Sequence, residues 1–267
     1  MRTQIREVKY QSPQFMRVLL YPVRKKGGRA GRARREKAQP TSAVQAALNA
    51  RNAERLLSDL LHLNFTPDDC EIHPTYADSF MPSTDEEALR NLKNFIRRLR
   101  RVYINKNGTA EGFKYLYVIE KTKKGRYHYH ITVAAPGVTY KEMIDCWGMG
   151  RCNPRPLEFD EHGLRGLSHY ITKDPVGSRR WGCSKGLARP APRENDTRVA
   201  QKDAAHLCCE NPDLVAIAKK YYPNFTISDV SANLTAGGTF IELFLYRTDN
   251  RYFCYDRWGR IHYGVRR

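Results

Sequence analysis

The chain reads as an α+β protein built on a central antiparallel sheet flanked by helices. Two observations predict this. Stretches with helical apolar spacing alternate irregularly with strand-like stretches along the 267 residues. Near the middle, strand-like stretches 113–120 and 126–134 are separated by a short segment containing Lys123, Lys124 and Gly125, which suits a three-residue hairpin loop with glycine at the left-handed position.

The remaining elements follow in order. Residues 15–23 can form one strand, but 1–40 as a whole stand apart, with twelve Lys/Arg against two Glu, a local net of +10. Gly27, Gly28 and Gly31 argue against a helix in 25–37. This run is either a basic arm that binds phosphates, through Lys25, Lys26, Arg29, Arg32, Arg34 and Arg35, or a solvated tail. Ser42 can cap a helix through Val44, Ala47 and Leu48 to about Leu57. Residues 61–66 alternate apolar and polar, as a half-buried strand does, and Pro67 ends them. Thr84 and Glu87 have the spacing of a capping box. From there Leu89, Leu92, Phe95, Ile96, Leu99 and Tyr103 form one apolar stripe, interleaved with Arg97, Arg98, Arg100 and Arg101. Thr139 and Glu142 cap a short helix, and 166–173 form another that stops at Asp174-Pro175. Residues 181–196 read as a loop or linker. Helical patterns at 197–209 and 212–221 precede strands at 224–230, 239–246 and 252–255. This divides the chain into a basic arm (1–40), a central domain (41–190) and an extension (191–267) without a chemical motif.

Composition narrows the function. A formal net charge of +18 favours a polyanionic partner, nucleic acid first and an anionic membrane surface second. No apolar run approaches a membrane span, and the N-terminus lacks the apolar core of a secretion signal. Seven cysteines, none in a C-x-x-C pair, are expected to be reduced thiols in a cytoplasmic protein.

The peptide from Glu120 to His130 carries the chemistry. On a strand His128 and His130 share a face, and Tyr129 points away. If the hairpin turns on Lys123–Gly125, Glu120 lies opposite His128 and joins that face. Two imidazoles and a carboxylate, with room for phosphate oxygens, suit a divalent cation such as Mg²⁺ or Mn²⁺. The bland alternative is a pair of solvent-facing histidines on an ordinary hairpin. Further on, Tyr170 and Lys173 are neighbours on a helix, where an ammonium would ease deprotonation of the phenol; a surface pair is the alternative.

These pieces together resemble the HUH endonuclease superfamily, in particular the rolling-circle replication initiators of phages, plasmids and single-stranded DNA replicons. The resemblance rests on His128-Tyr129-His130, Glu120 eight residues earlier, Tyr170-x-x-Lys173, a first motif at 62–66, and the segment 179–187. It implies a sheet of about five strands of ferredoxin/RRM type, a metal held by His128, His130 and Glu120, and Tyr170 as nucleophile assisted by Lys173. It further implies a 5′-phosphotyrosyl intermediate on single-stranded origin DNA or an origin hairpin. With no phosphate-binding loop of the G-x-x-x-x-G-K type, a separate helicase and the host DNA polymerase are the expected partners. DNA contacts are expected from the basic run, from Arg97, Arg98 and Arg101, and from Arg179 and Arg180. A transposase or relaxase using the same residues, or a non-catalytic DNA-binding protein, stay open as alternatives.

Overall fold

The computed structural model describes residues 3–24, 43–160, 162–171, 181–206, 214–235, 238–248, 251–255 and 261–265. In order these form β1 (Thr3–Gln11), β2 (Phe15–Arg24), α1 (Ala43–Asn64), β3 (Cys70–Pro74), α2 (Asp85–Asn107), β4 (Lys114–Lys121) and β5 (Tyr127–Ala134). There follow α3 (Tyr140–Asp145), β6 (Cys152–Pro156), α4 (Arg165–Ile171), β7 (Gly182–Cys183), β8 (Arg193–Asn195), α5 (Gln201–His206) and α6 (Leu214–Tyr221). Strands β9 (Phe225–Thr235), β10 (Gly238–Arg247), β11 (Arg251–Tyr255) and β12 (Ile261–Val265) complete the chain, the last two paired with each other. The protein is α+β, with two five-stranded antiparallel sheets.

The chain divides into two compact units. The first comprises Met1–Ala53, Pro190–Cys254 and Ile261–Arg267, and its sheet runs β8-β1-β2-β10-β9. Residues 3–24, which the sequence suggests belong to a basic arm, here supply two strands of that sheet, and β2 is its central one. The reason lies in alternation: Met16, Val18 and Leu20 point to one face, where they pack with Ile241, Leu243 and Leu245. The same unit buries Glu7 completely, and the carboxylate is satisfied by Arg198 at 3.1 Å and by the Tyr222 hydroxyl, which donates at 2.6 Å. Residues 193–195, expected in a loop, form the short edge strand β8, paired to β1.

The second unit comprises Glu54–Arg189 and Tyr255–Arg260, with a sheet ordered β6-β3-β5-β4-β7. Its β4–β5 hairpin turns where the sequence predicts. Gly125 adopts φ 79°, its N–H donates to Thr122 O, and Thr122 N donates to Arg126 O, both at 2.8 Å. One face of this sheet presents Tyr127, Tyr129, Ile131 and Val133 to α2, which buries Leu92, Phe95, Ile96, Leu99 and Tyr103 against it. Thr84 caps α2 through Glu87 N, and Gly108 ends it in the left-handed region at φ 69°. Thr139 and Glu142 form a complete capping box on α3.

The other face is covered at one end by the last turns of α1, where Leu57, Leu60, Leu61 and Phe65 pack on Leu116, Val118 and Ala134. Here the expected strand at 61–66 gives way to helix: α1 runs to Asn64. Leu57, Leu60 and Leu61 have helical spacing, and the polar residues of the apparent alternation are buried and hydrogen-bonded rather than facing solvent. Asn64 donates through Nδ2 to Leu60 O and Ala188 O, and accepts through Oδ1 from Ala188 N. His62 Nε2 accepts from Leu164 N at 2.8 Å. The strand next to β5 is instead β3, further along the chain than expected.

Candidate metal centre and cleft

The hairpin register brings the expected residues to one face. Glu120 pairs directly with His128 across β4 and β5, and Thr75 bridges His128 from the other side. Two residues on, His130 is buried, with its Nε2 3.3 Å from Glu120 Oε2. Burial and then the neighbouring His130 depress the pKa of His128, which favours the neutral imidazole that ligates metals. Tyr129 and Tyr127 point to the opposite face, where the Tyr129 hydroxyl donates to Ala88 O and shares a 2.6 Å hydrogen bond with Tyr76. Burial first, then Tyr76, pushes the Tyr129 phenol far above its ordinary pKa.

Strand β3 adds two residues that no sequence motif marks. Glu71 pairs with Thr132 across β5, which places its side chain on the His130 face, and His73 follows two residues later. The His73 and His130 rings meet edge to face at 4.7 Å between centroids. Glu71 Oε1 lies 2.8 Å from His73 Nε2 and 3.7 Å from His130 Nδ1. One donor atom from each of Glu71, His73 and His130 falls within 4.8 Å of the others, so this group can hold a metal ion. The donor set also fits a cation on a second count. Glu71 Oε1 and His73 Nε2 are buried and close, yet not aligned as a hydrogen bond. Two ligand atoms on adjacent sites of one ion stand about this far apart, given metal–ligand bonds of about 2.1 Å. Burial alone would raise the Glu71 carboxyl, but His130, His73 and Arg155 together hold it far below the usual carboxylate range. The one sequence signal for the pair is the alternation of Glu71 and His73 with Cys70 and Ile72 in a short run, too brief to separate from a loop.

His130, Glu71 and His73 open onto a cleft of about 340 Å³, walled on the far side by Arg155, Pro156 and Leu157 and by Leu164, Gly166 and Leu167 at the start of α4. Tyr170 lies on α4, four residues beyond Gly166. His62 tethers the entry to that helix through Leu164 N, and since Nε2 accepts, the ring is neutral. Burial drives its pKa down to about 3. Lys173, Lys25, Lys26, Arg29, Arg32, Arg34, Arg35, Arg179 and Arg180 lie outside the described residues. Arg97 and Arg101 are exposed on α2, which covers the opposite sheet face from His130. Arg98 donates to the carbonyls of Cys146 and Trp147, at 2.7 and 3.2 Å, and so ties α2 to the end of α3.

Comparison with known proteins points to replication. Residues 74–175 match the family model of the ORF2-type replication-associated proteins, so this stretch, which holds Glu120, His128, His130 and Tyr170, is similar to that family. No curated protein and no solved structure matches the chain. Among the described residues, no helix is long and apolar enough to cross a membrane, and Cys70, Cys146, Cys152 and Cys183 are free thiols.

Proposed function

We propose that the chain is a cytoplasmic rolling-circle replication initiator that nicks single-stranded origin DNA through Tyr170. The observation that carries this reading is the cleft: a buried His/Glu cluster forms one wall and the start of the tyrosine-bearing helix forms the other. A Mg²⁺ or Mn²⁺ ion held by His128, His130 and Glu120, with Glu71 and His73 adjoining, would polarise the scissile phosphate. His130 belongs to both ligand groups, so it is the residue whose loss costs most. The sheet holds these side chains in fixed register, and His62 anchors the start of the helix that carries Tyr170.

In this reading the Tyr170 oxygen attacks phosphorus as its phenol proton leaves. The new O–P bond forms, the bond from phosphorus to the upstream 3′-oxygen breaks, and that oxygen takes up a proton. The products are a 5′-phosphotyrosyl protein and a free 3′-OH that primes a host polymerase, with a separate helicase opening the duplex. Lys173 offsets charge developing on the phosphoryl group. Reversal of the step rejoins strands. The test is to incubate the full chain with a single-stranded origin hairpin and Mn²⁺ and resolve the products on a denaturing gel. A DNA–protein adduct that disappears with EDTA and in His130→Ala supports the reading. Cleavage by His130→Ala at the wild-type rate contradicts it.

A further inference from the structure

Arg155 is not used by the metal cluster, yet it forms part of the same cleft. It stands on β6, the edge strand of its sheet, directly opposite Glu71 in the β3 ladder, and therefore on the face that carries His130. Pro154 and Pro156 flank it. Proline is tolerated on an edge strand and fixes φ, so the backbone that carries Arg155 is stiff. Its Nε and Nη2 both donate to Glu71 Oε2, at 3.1 and 2.8 Å. The other oxygen of that carboxylate, Oε1, faces His73 and His130. Glu71 thus presents one oxygen to the guanidinium and the other to the cation group. It is 7% exposed at the side chain, whereas Arg155 is 51% exposed and lines the cleft.

A guanidinium has five N–H donors, and the two hydrogen bonds to Glu71 use two of them. The remaining N–H groups belong to a positive charge whose position is already set by a buried carboxylate, so little side-chain freedom remains to be given up when a ligand binds. A phosphodiester has two non-bridging oxygens with a bite close to that of a carboxylate. It can therefore span the same two positive groups that Glu71 spans, one oxygen on the cation and one on Arg155. Lysine at this position would supply charge without the fork.

We infer that Arg155 is a phosphate-binding residue of the cleft, gripping the non-bridging oxygen of the scissile phosphodiester that faces away from the metal. This rests on the nicking reading for its substrate, but its test does not require cleavage. The full chain is loaded with Mn²⁺ and titrated with dimethyl phosphate, whose binding is read from ³¹P relaxation; Mn²⁺ affinity is measured separately by calorimetry. Arg155→Gln should weaken dimethyl phosphate at least about fivefold and leave Mn²⁺ affinity within about threefold, with Arg155→Lys falling between Gln and wild type. Unchanged phosphate affinity in Arg155→Gln overturns the inference. So does a loss of Mn²⁺ affinity large enough to account for the weaker phosphate, which would reduce Arg155 to a support for Glu71. Nicking by the same samples separates the two claims: wild-type protein that binds the phosphate through Arg155 but never cleaves leaves this inference standing and removes the nicking reading. Cleavage by wild type with no phosphate effect in Arg155→Gln does the reverse.

Discussion

Two histidines of the same unit serve opposite ends. His62 is buried with its Nε2 accepting from Leu164 N, and its pKa falls to about 3 against an unfolded value of 6.5. Between those values the unfolded chain holds a proton that the folded chain does not. Stability contributed by the neutral ring is therefore complete above pH 6.5 and is lost as pH falls toward 3, by up to about 1.4 kcal/mol per pH unit. His62→Gln keeps an acceptor for Leu164 and removes the titration. Urea unfolding at pH 7 and pH 4.5 should show wild type losing more stability than the variant; equal losses would remove His62 from the account. His130 sits instead in a polar cluster. Calorimetry with Mn²⁺ should show His130→Ala losing most affinity, and Glu120→Ala less, because a water can replace one oxygen ligand. Loss in His73→Ala with none in His128→Ala would move the ion to the β3 side. The Glu120–His128 pairing is legible in the sequence because a glycine-ended three-residue loop leaves one register. The places of Glu71 and His73 are not, because β3 pairs with a strand far along the chain and no local rule sets that register.

Elements depart from the sequence pattern where burial is two-sided. The stretch 61–66 alternates like a strand, yet it ends α1, because both its apolar and its polar residues are buried. Period-two patterning assigns a face to solvent, and here no solvent face exists. Asn64 decides between the two descriptions. On a half-buried strand it would face water, and Asn64→Ala would change stability by no more than about 0.5 kcal/mol. In the structure it clamps Ala188 through both N–H and C=O, so the substitution should cost about 1–3 kcal/mol in thermal unfolding. The α2 stripe and both Thr caps, by contrast, are legible, since capping and a 3.6-residue period are local and mutually reinforcing. Helix α4 is short, and its start beside the cleft depends on the hydrogen bond between His62 and Leu164, a partnership that no window of sequence around Tyr170 contains.

For the whole molecule, the boundary expected at residue 40 hides a sheet. Strands β1 and β2 lie within 1–40 and pair with β8 and β10, which come from beyond residue 190. Long-range pairing of this kind leaves no mark on composition, and the basic character of 1–40 masks the core alternation of Met16, Val18 and Leu20. Deleting 1–38 would therefore remove core strands. The proper test of the basic run removes 25–38 alone. It should weaken single-stranded DNA binding and flatten the salt dependence by about 0.7 for each phosphate the shortened chain no longer neutralises, with site choice retained; an unchanged slope would leave that run without a DNA role. The central claim, that Tyr170 is the nucleophile served by the His130 cleft, is tested most directly by mapping the DNA-linked peptide. Protein incubated with single-stranded origin DNA and Mn²⁺ is digested, and the adduct is located by mass spectrometry, with Tyr170→Phe in parallel. The account predicts a nucleotide on Tyr170 in wild type and no adduct in a folded, DNA-binding Tyr170→Phe; a nucleotide on Tyr140 or any other tyrosine, or an adduct that persists in Tyr170→Phe, contradicts it.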